Sequence, residues 1–228
     1  MTVRVGVAWS TYFQRPLNQR LRYRRLRYAY RAPVLFLQGM LGSGADIEVI
    51  DLDENLVGAS LGRGSAAQRV DILYVATHGM TTANGFALGL HSADWSLLSG
   101  GFGAGGPAIV VFDCCNLVDL TVAQWDDVWR TAQLGPQLRL ILGFSTPASV
   151  SQQASIRGTA FARELGLQTV TDAWFASIQN TSYVGTDRPI SIALGDDDAD
   201  AQYQLDNLRI GALPGPRTSA VPGVAWRS

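Results

Sequence analysis

A thiol becomes a useful nucleophile when an imidazole stands close enough to take its proton. The chain has two cysteines, Cys114 and Cys115, directly after the run Ala108, Ile109, Val110, Val111, Phe112 and Asp113. It has two histidines, and one of them, His78, follows a second run, Asp71 to Thr77, and precedes Gly79. Acyl transfer also needs a donor for the developing oxyanion. The Gly79 N–H could serve, with no side chain to block an approaching carbonyl. Cys115 lies 37 positions after His78. Nucleophile, base and oxyanion donor would thus come together if the two runs are neighbours.

The runs themselves say how that happens. Five apolar residues, three of them β-branched, precede Asp113 without polar interruption. This pattern suits a strand of a parallel sheet buried on both faces. In open α/β sheets, reactive groups collect beyond the carboxyl ends of the strands. Further strands are expected at Thr2 to Trp9, at Val34 to Leu37, at Arg139 to Phe144 and at Ile190 to Leu194. Helical spacing marks Leu120 to Gln133, Gln153 to Leu165 and Thr171 to Gln179. Strands alternating with helices predict an α/β layered fold, with no internal repeat or linker. We therefore expect one domain over residues 1–228, with an extended tail after about residue 213.

Composition narrows the function classes. At 228 residues, 47% hydrophobic and 16% charged, the chain can bury a sizeable core. A formal net charge of −1 argues against a general polyanion binder. No apolar run is long enough to span a bilayer. The N-terminus lacks a secretory pattern, and two adjacent cysteines make no disulfide framework. A cytoplasmic protein with reduced thiols is expected. All 18 basic residues are arginine, which excludes a lysine nucleophile.

Other motifs weaken under the same scrutiny. Seven of the 17 residues from Arg15 to Arg31 are arginine, interleaved with tyrosine and leucine. An amphipathic helix with solvated arginines is the simpler reading. A protein partner at segment 15–31 comes next, and nucleic acid is not expected. Gly39 to Gly44 resembles a phosphate loop but lacks its Lys-Ser/Thr. Asp196, Asp197, Asp198 and Asp200 lack the Gly and terminal Glu of a calcium loop and read as a solvated turn. His91 lies in the glycine-rich stretch Met80 to Gly106, away from a strand end, and reads as structural. A zinc site using His78, His91 and both cysteines matches no common spacing.

Asp71 to Gly79 followed by Ile109 to Cys115 resembles the caspase-like cysteine peptidases, a clan of caspases, metacaspases, gingipains, legumains and separases. Leu140 to Thr146 and Asp172 to Phe175 are similar to a bacterial family of such proteins. The resemblance covers roughly residues 70–195. It implies a three-layer caspase-like fold with a mostly parallel central sheet and helices on both faces. It also implies a cysteine endopeptidase acting on a peptide or protein substrate through a Cys-His dyad. Cys115 would be the nucleophile and His78 the general base, with Gly79 and Cys115 N–H groups forming the oxyanion hole. Asp113 would line the S1 pocket and favour Arg or Lys at P1. Ser145 and Thr146 would offer a sheet edge to the substrate backbone. Cys114, facing away from Cys115 in an extended strand, would be buried. The resemblance implies no cofactor and no metal, and no residue pattern argues for calcium activation.

The chain also departs from the clan's pattern. Asn116-Leu117 stands where metacaspases have His-Ser-Gly, and only 23 residues lie between Cys115 and Arg139, too few for a long processed linker. The short linker argues against an autocleaved two-subunit enzyme. The departure at Asn116 and the arginine-rich segment leave open an alternative, a catalytically weak or inactive caspase-like module that binds a protein partner.

Overall fold

The computed structural model describes residues 2–13, 24–25, 27–62, 64–82, 85–90, 94–96, 105–118, 120, 125–131, 134–179, 181 and 187–228. In chain order the strands are β1 (Val3–Trp9), β2 (Tyr12–Phe13), β3 (Arg24–Arg25), β4 (Ile47–Asp53), β5 (Ile72–Ala76), β6 (His78–Thr82), β7 (Gly85–Gly89), β8 (Asp94–Ser96), β9 (Ile109–Asp113), β10 (Leu140–Phe144), β11 (Pro189–Gly195) and β12 (Gly223–Arg227). The helices are α1 (Arg31–Gly42), α2 (Gly58–Leu61), α3 (Asp127–Thr131), α4 (Arg157–Leu165), α5 (Val170–Gln179) and α6 (Asp198–Asn207).

Among the described residues, seven strands form the central sheet, in the order β12-β11-β10-β9-β5-β1-β4. The five from β10 to β4 run parallel, and β11 and β12 are antiparallel to their neighbours. Every residue of β5, β9 and β10 is buried. Alternate side chains feed two cores. Tyr74, Ile109, Val111 and Leu142 face α1, α4 and α5, while Leu73, Val75, Val110, Phe112 and Ile141 face Trp129 of α3 and the β6–β7 hairpin. That two-sided burial is why these strands read as uninterrupted apolar runs. The molecule is a mixed α/β structure, with a largely parallel sheet flanked by helices.

Several elements differ from the sequence expectation. Val34 to Leu37 lies inside α1 rather than in a strand. Ala32, Pro33, Phe36, Leu37 and Met40 are buried at helical spacing, and a four-residue apolar run cannot distinguish the two periods. The glycines of Gly39 to Gly44 close that helix. A methyl group at Gly39 would sit 2.7 Å from the Ala162 Cβ of α4. Among the described residues of the arginine-rich segment, Arg24 and Arg25 pair as a strand with Tyr12 and Phe13, and only Arg31 is helical, as the first residue of α1. Residues 15–23 and 26 of that segment lie outside the described residues, as does His91. The glycine-rich stretch after His78 contains an antiparallel sheet, β6-β7-β8. The tail is not merely extended, because it ends as β12 against β11. Among the described residues no helix is long and apolar enough to cross a membrane.

Candidate active site

β5 and β9 are adjacent and parallel, with Ala76 opposite Asp113. His78 and Cys115 each lie two residues beyond that matched pair, so the register carries both to the same end of the sheet. At Thr77 the chain leaves the central sheet and enters β6, with the Thr77 hydroxyl donating to the Gly89 carbonyl at the hairpin base. Beyond Asp113 the strand stops in a tight turn, in which the Cys114 N–H donates to the Phe112 carbonyl. Asn116 adopts a left-handed conformation, φ 51°, which asparagine tolerates better than most residues. Cys114 is buried as expected, through this turn rather than by facing away in an extended strand.

The two turns touch. A methyl group at Gly79 would lie 2.2 Å from the Cys115 carbonyl oxygen and 2.8 Å from the Cys114 Sγ. Only glycine allows the β6 backbone to pass so close to the Cys114–Cys115 turn. Gly89, paired across the hairpin with His78, leaves space beside the imidazole: a methyl there would sit 3.3 Å from the His78 Cβ and 3.4 Å from its Cδ2. His78, Gly79, Cys115 and Ser145 line one cleft of about 510 Å³, with Met80, Asn116, Val118 and Pro147 completing its wall. The cleft thus gathers the expected nucleophile, base and oxyanion glycine.

The Cys115 thiol is held by the segment after β10. The Ala148 N–H donates to Sγ at 3.3 Å. Burial raises the thiol pKa, the Ala148 hydrogen bond opposes that rise, and the carboxylates of Asp113 and Asp187 add to it. Burial thus favours the protonated thiol, and use of this thiol as a nucleophile would call for a nearby base.

Asp113 requires a correction. Its carboxylate does not stand free in a substrate pocket. Both oxygens are bound by Arg157, one by Nη2 and the other by Nε at 3.0 Å, and the Tyr74 hydroxyl donates to the second at 2.8 Å. The side chains of Asp113, Arg157 and Asp187 are almost wholly buried, with Arg157 Nη1 3.4 Å from Asp187. A carboxylate neutralised in this way is no direct contact for a substrate cation.

Thr146 is corrected as well. Its carbonyl accepts from the Asn116 N–H, and its hydroxyl accepts from the Arg188 N–H. On the other residue of the pair, the Ser145 N–H donates to the Arg188 carbonyl. The expected open edge at Ser145 and Thr146 is therefore closed by neighbouring chain, and Ser145 serves as cleft wall. Arg139 is also remote from the cleft, binding Asp200 and the Gly215 carbonyl.

Sequence reading missed Gly89, Ala148 and Asp187. Only Gly89 left a signal, as a glycine within a strand-like alternation. The others contribute through backbone position or through partners far away in sequence. Among the described residues, no cluster of three or more His, Cys, Asp or Glu side chains could hold a metal ion.

Residues 58–209 match the model of a family described as Domain of unknown function (DUF6345). No curated protein matches the chain. Among solved structures, the Drosophila initiator caspase Dronc is similar at TM-score 0.40 and 12% identity, covering 99% of this chain and 78% of that one. The Streptococcus pneumonia TIGR4 flavodoxin is similar at TM-score 0.33 and 12% identity, covering 72% of this chain and 97% of that one. Likenesses this loose leave the chemistry to the geometry of the site.

Proposed function

The chain belongs to the family described as Domain of unknown function (DUF6345), a description that assigns no chemistry, and from the site's own geometry we propose that it is a cysteine endopeptidase working through Cys115 and His78. The observation that carries this reading is the single cleft lined by both side chains, with Gly79 packed against the Cys114–Cys115 turn. The sequence resemblance to caspase-like cysteine peptidases supports the same roles.

The reaction begins when His78 takes the Cys115 proton as Sγ attacks the scissile carbonyl carbon. The electron pair of the C=O bond moves to oxygen, and the N–H groups of Gly79 and Cys115 stabilise that charge. The tetrahedral intermediate collapses, the C–N bond breaks, and the imidazolium gives its proton to the leaving amine. Water, activated by the neutral imidazole, then attacks the thioester, releasing the acid and restoring the thiol. A thiol pKa raised by burial gives His78 a real task, since little thiolate is present beforehand.

Arg or Lys at P1 rests on the sequence resemblance alone, since Asp113 does not stand free. Asp113 and Asp187 are both buried against the Arg157 guanidinium, so any preference they confer acts through the protein and not by direct contact with the P1 side chain. One observation favours a second reading. Asn116, directly after the thiol, stands where metacaspases have His-Ser-Gly, the departure that leaves open a catalytically weak or inactive module that binds a protein partner.

A fluorogenic peptide panel, run with and without calcium, separates the two readings. Hydrolysis abolished in Cys115→Ala and His78→Ala but kept in Cys114→Ala is the expected result, and the panel reports the P1 residue. Alkylation of Cys115 by iodoacetamide without hydrolysis of any peptide would favour the binding module instead.

A further inference from the structure

The amide that meets the thiol does not hold itself in place. Ala148 is followed by Ser149, and Ser149 is gripped on three sides by the buried ion cluster. Its N–H and hydroxyl both donate to Asp187 Oδ1, at 3.1 and 2.9 Å. Its carbonyl accepts from Arg157 Nη2 at 2.9 Å. The same guanidinium binds Asp113, two residues before Cys115 in the turn that ends β9, and lies 5.0 Å from the centre of the Phe144 ring. Arg157 and Asp187 therefore join three separate pieces of chain: the cysteine turn, the 147–149 segment and the start of β11.

We propose that Arg157 and Asp187 are positioning residues for the cysteine nucleophile, fixing the 147–149 segment so that the Ala148 N–H is aimed at Cys115 Sγ and stabilises its thiolate. This rests on the reading of Cys115 as the reactive thiol. The hydrogen bond lowers the thiol pKa against the rise caused by burial. The charged and titratable groups around Sγ are Asp113, Asp187 and Arg157 from the cluster, Cys114 in the turn and His78 across the cleft.

Asp187 influences the thiol in two opposed ways, which makes the proposal testable. As a charge it disfavours the thiolate. As an anchor for Ser149 it favours the thiolate, because it keeps the Ala148 N–H in place. Asp187→Asn and Asp187→Ala both remove the charge, yet only asparagine keeps an oxygen to accept from Ser149. In either variant Arg157 retains its Asp113 partner, so no buried arginine is left unpaired.

The experiment is the rate of Cys115 alkylation by iodoacetamide between pH 6 and 11, read by peptide mass spectrometry in the full chain. The expected midpoint for Asp187→Asn lies below wild type, while that for Asp187→Ala lies about one pH unit above Asp187→Asn, a tenfold difference in the thiolate equilibrium. Identical midpoints for the two variants would overturn the proposal and leave Asp187 acting by charge alone. Ser149→Ala, which leaves every charge in place, is expected to shift the midpoint upward by less. If Asp187→Ala does not fold, an unchanged midpoint in Ser149→Ala overturns the proposal on its own. The readout needs no peptide substrate, so a failed hydrolysis panel would sink the endopeptidase reading without touching this one.

Discussion

A methyl group is the smallest probe of the contact between His78 and the cysteine turn. At position 79 it would overlap the Cys115 carbonyl oxygen and the Cys114 Sγ, so Gly79→Ala must push β6 away from the β9 turn. His78 is the neighbouring residue and moves with it. Misplacement of a catalytic group by about 1 Å costs roughly 10²-fold in rate, and that is the loss of kcat/KM expected here. Gly89→Ala brings a methyl only to the tight side of contact with His78 and is expected to cost less than Gly79→Ala. Equal losses in the two variants, measured with the best peptide of the panel, would refute this ordering. The meeting of His78 and Cys115 at one cleft was legible in the sequence, because two apolar runs ended in His-Gly and Cys-Cys. The role of Asp113 was not. Its partner Arg157 lies 44 positions away, and no local pattern announces that two buried charges will neutralise each other. The turn at Asn116 was hidden for a related reason, since its left-handed conformation follows from how the chain leaves β9.

Elements act on the site through the close approach of α1 and α4. A methyl at Gly158 would lie 2.0 Å from the Ala32 carbonyl oxygen and 2.9 Å from the Phe36 N, backbone that cannot give way as a flexible side chain would. Gly158 follows Arg157 directly, so the crossing that seats α4 also delivers the guanidinium to Asp113. Gly158→Ala is expected to destabilise the fold by about 1–3 kcal/mol through overpacking, lowering Tm by several degrees. It is also expected to weaken alkylation or hydrolysis at Cys115 beyond what the loss of folded protein explains. A melt unchanged from wild type would show that the two helices separate without cost. Long buried strands could be read from the sequence because their apolar runs are continuous. Val34 to Leu37 could not, because a short apolar run has no period of its own until Ala32 and Met40 are seen to share its face.

Across the whole molecule, the candidate site and the fastening of the tail occupy opposite ends of the sheet. The cleft sits beyond the carboxyl ends of β5 and β9. At the other end, acids that follow the antiparallel β11 tie down the tail. Asp196 accepts from the Thr218 and Ser219 N–H groups, Asp198 accepts from the Val224 N–H and from Arg130, and Asp200 binds Arg139. The acidic run read as a solvated turn is thus the fastening of β12, and no local feature of the sequence could pair it with residues some twenty positions onward. The Ser219 and Thr218 hydrogen bonds hold the Asp196 carboxyl below its ordinary pKa, and the bonds from Arg130 and Val224 do the same for Asp198. A carboxyl depressed in the folded state stabilises it fully above the unfolded value of about 3.9 and loses that contribution as pH falls through the folded value. Asp196→Asn removes the titrating group. The variant is therefore expected to melt below wild type at pH 7, with the gap closing as pH drops from about 4 toward 2. Thermal melts at a series of pH values measure this directly. A gap of constant size would mean that Asp196 fastens the tail by shape and not by charge, whereas a closing gap assigns the acid sensitivity of this end of the molecule to the carboxylates after β11.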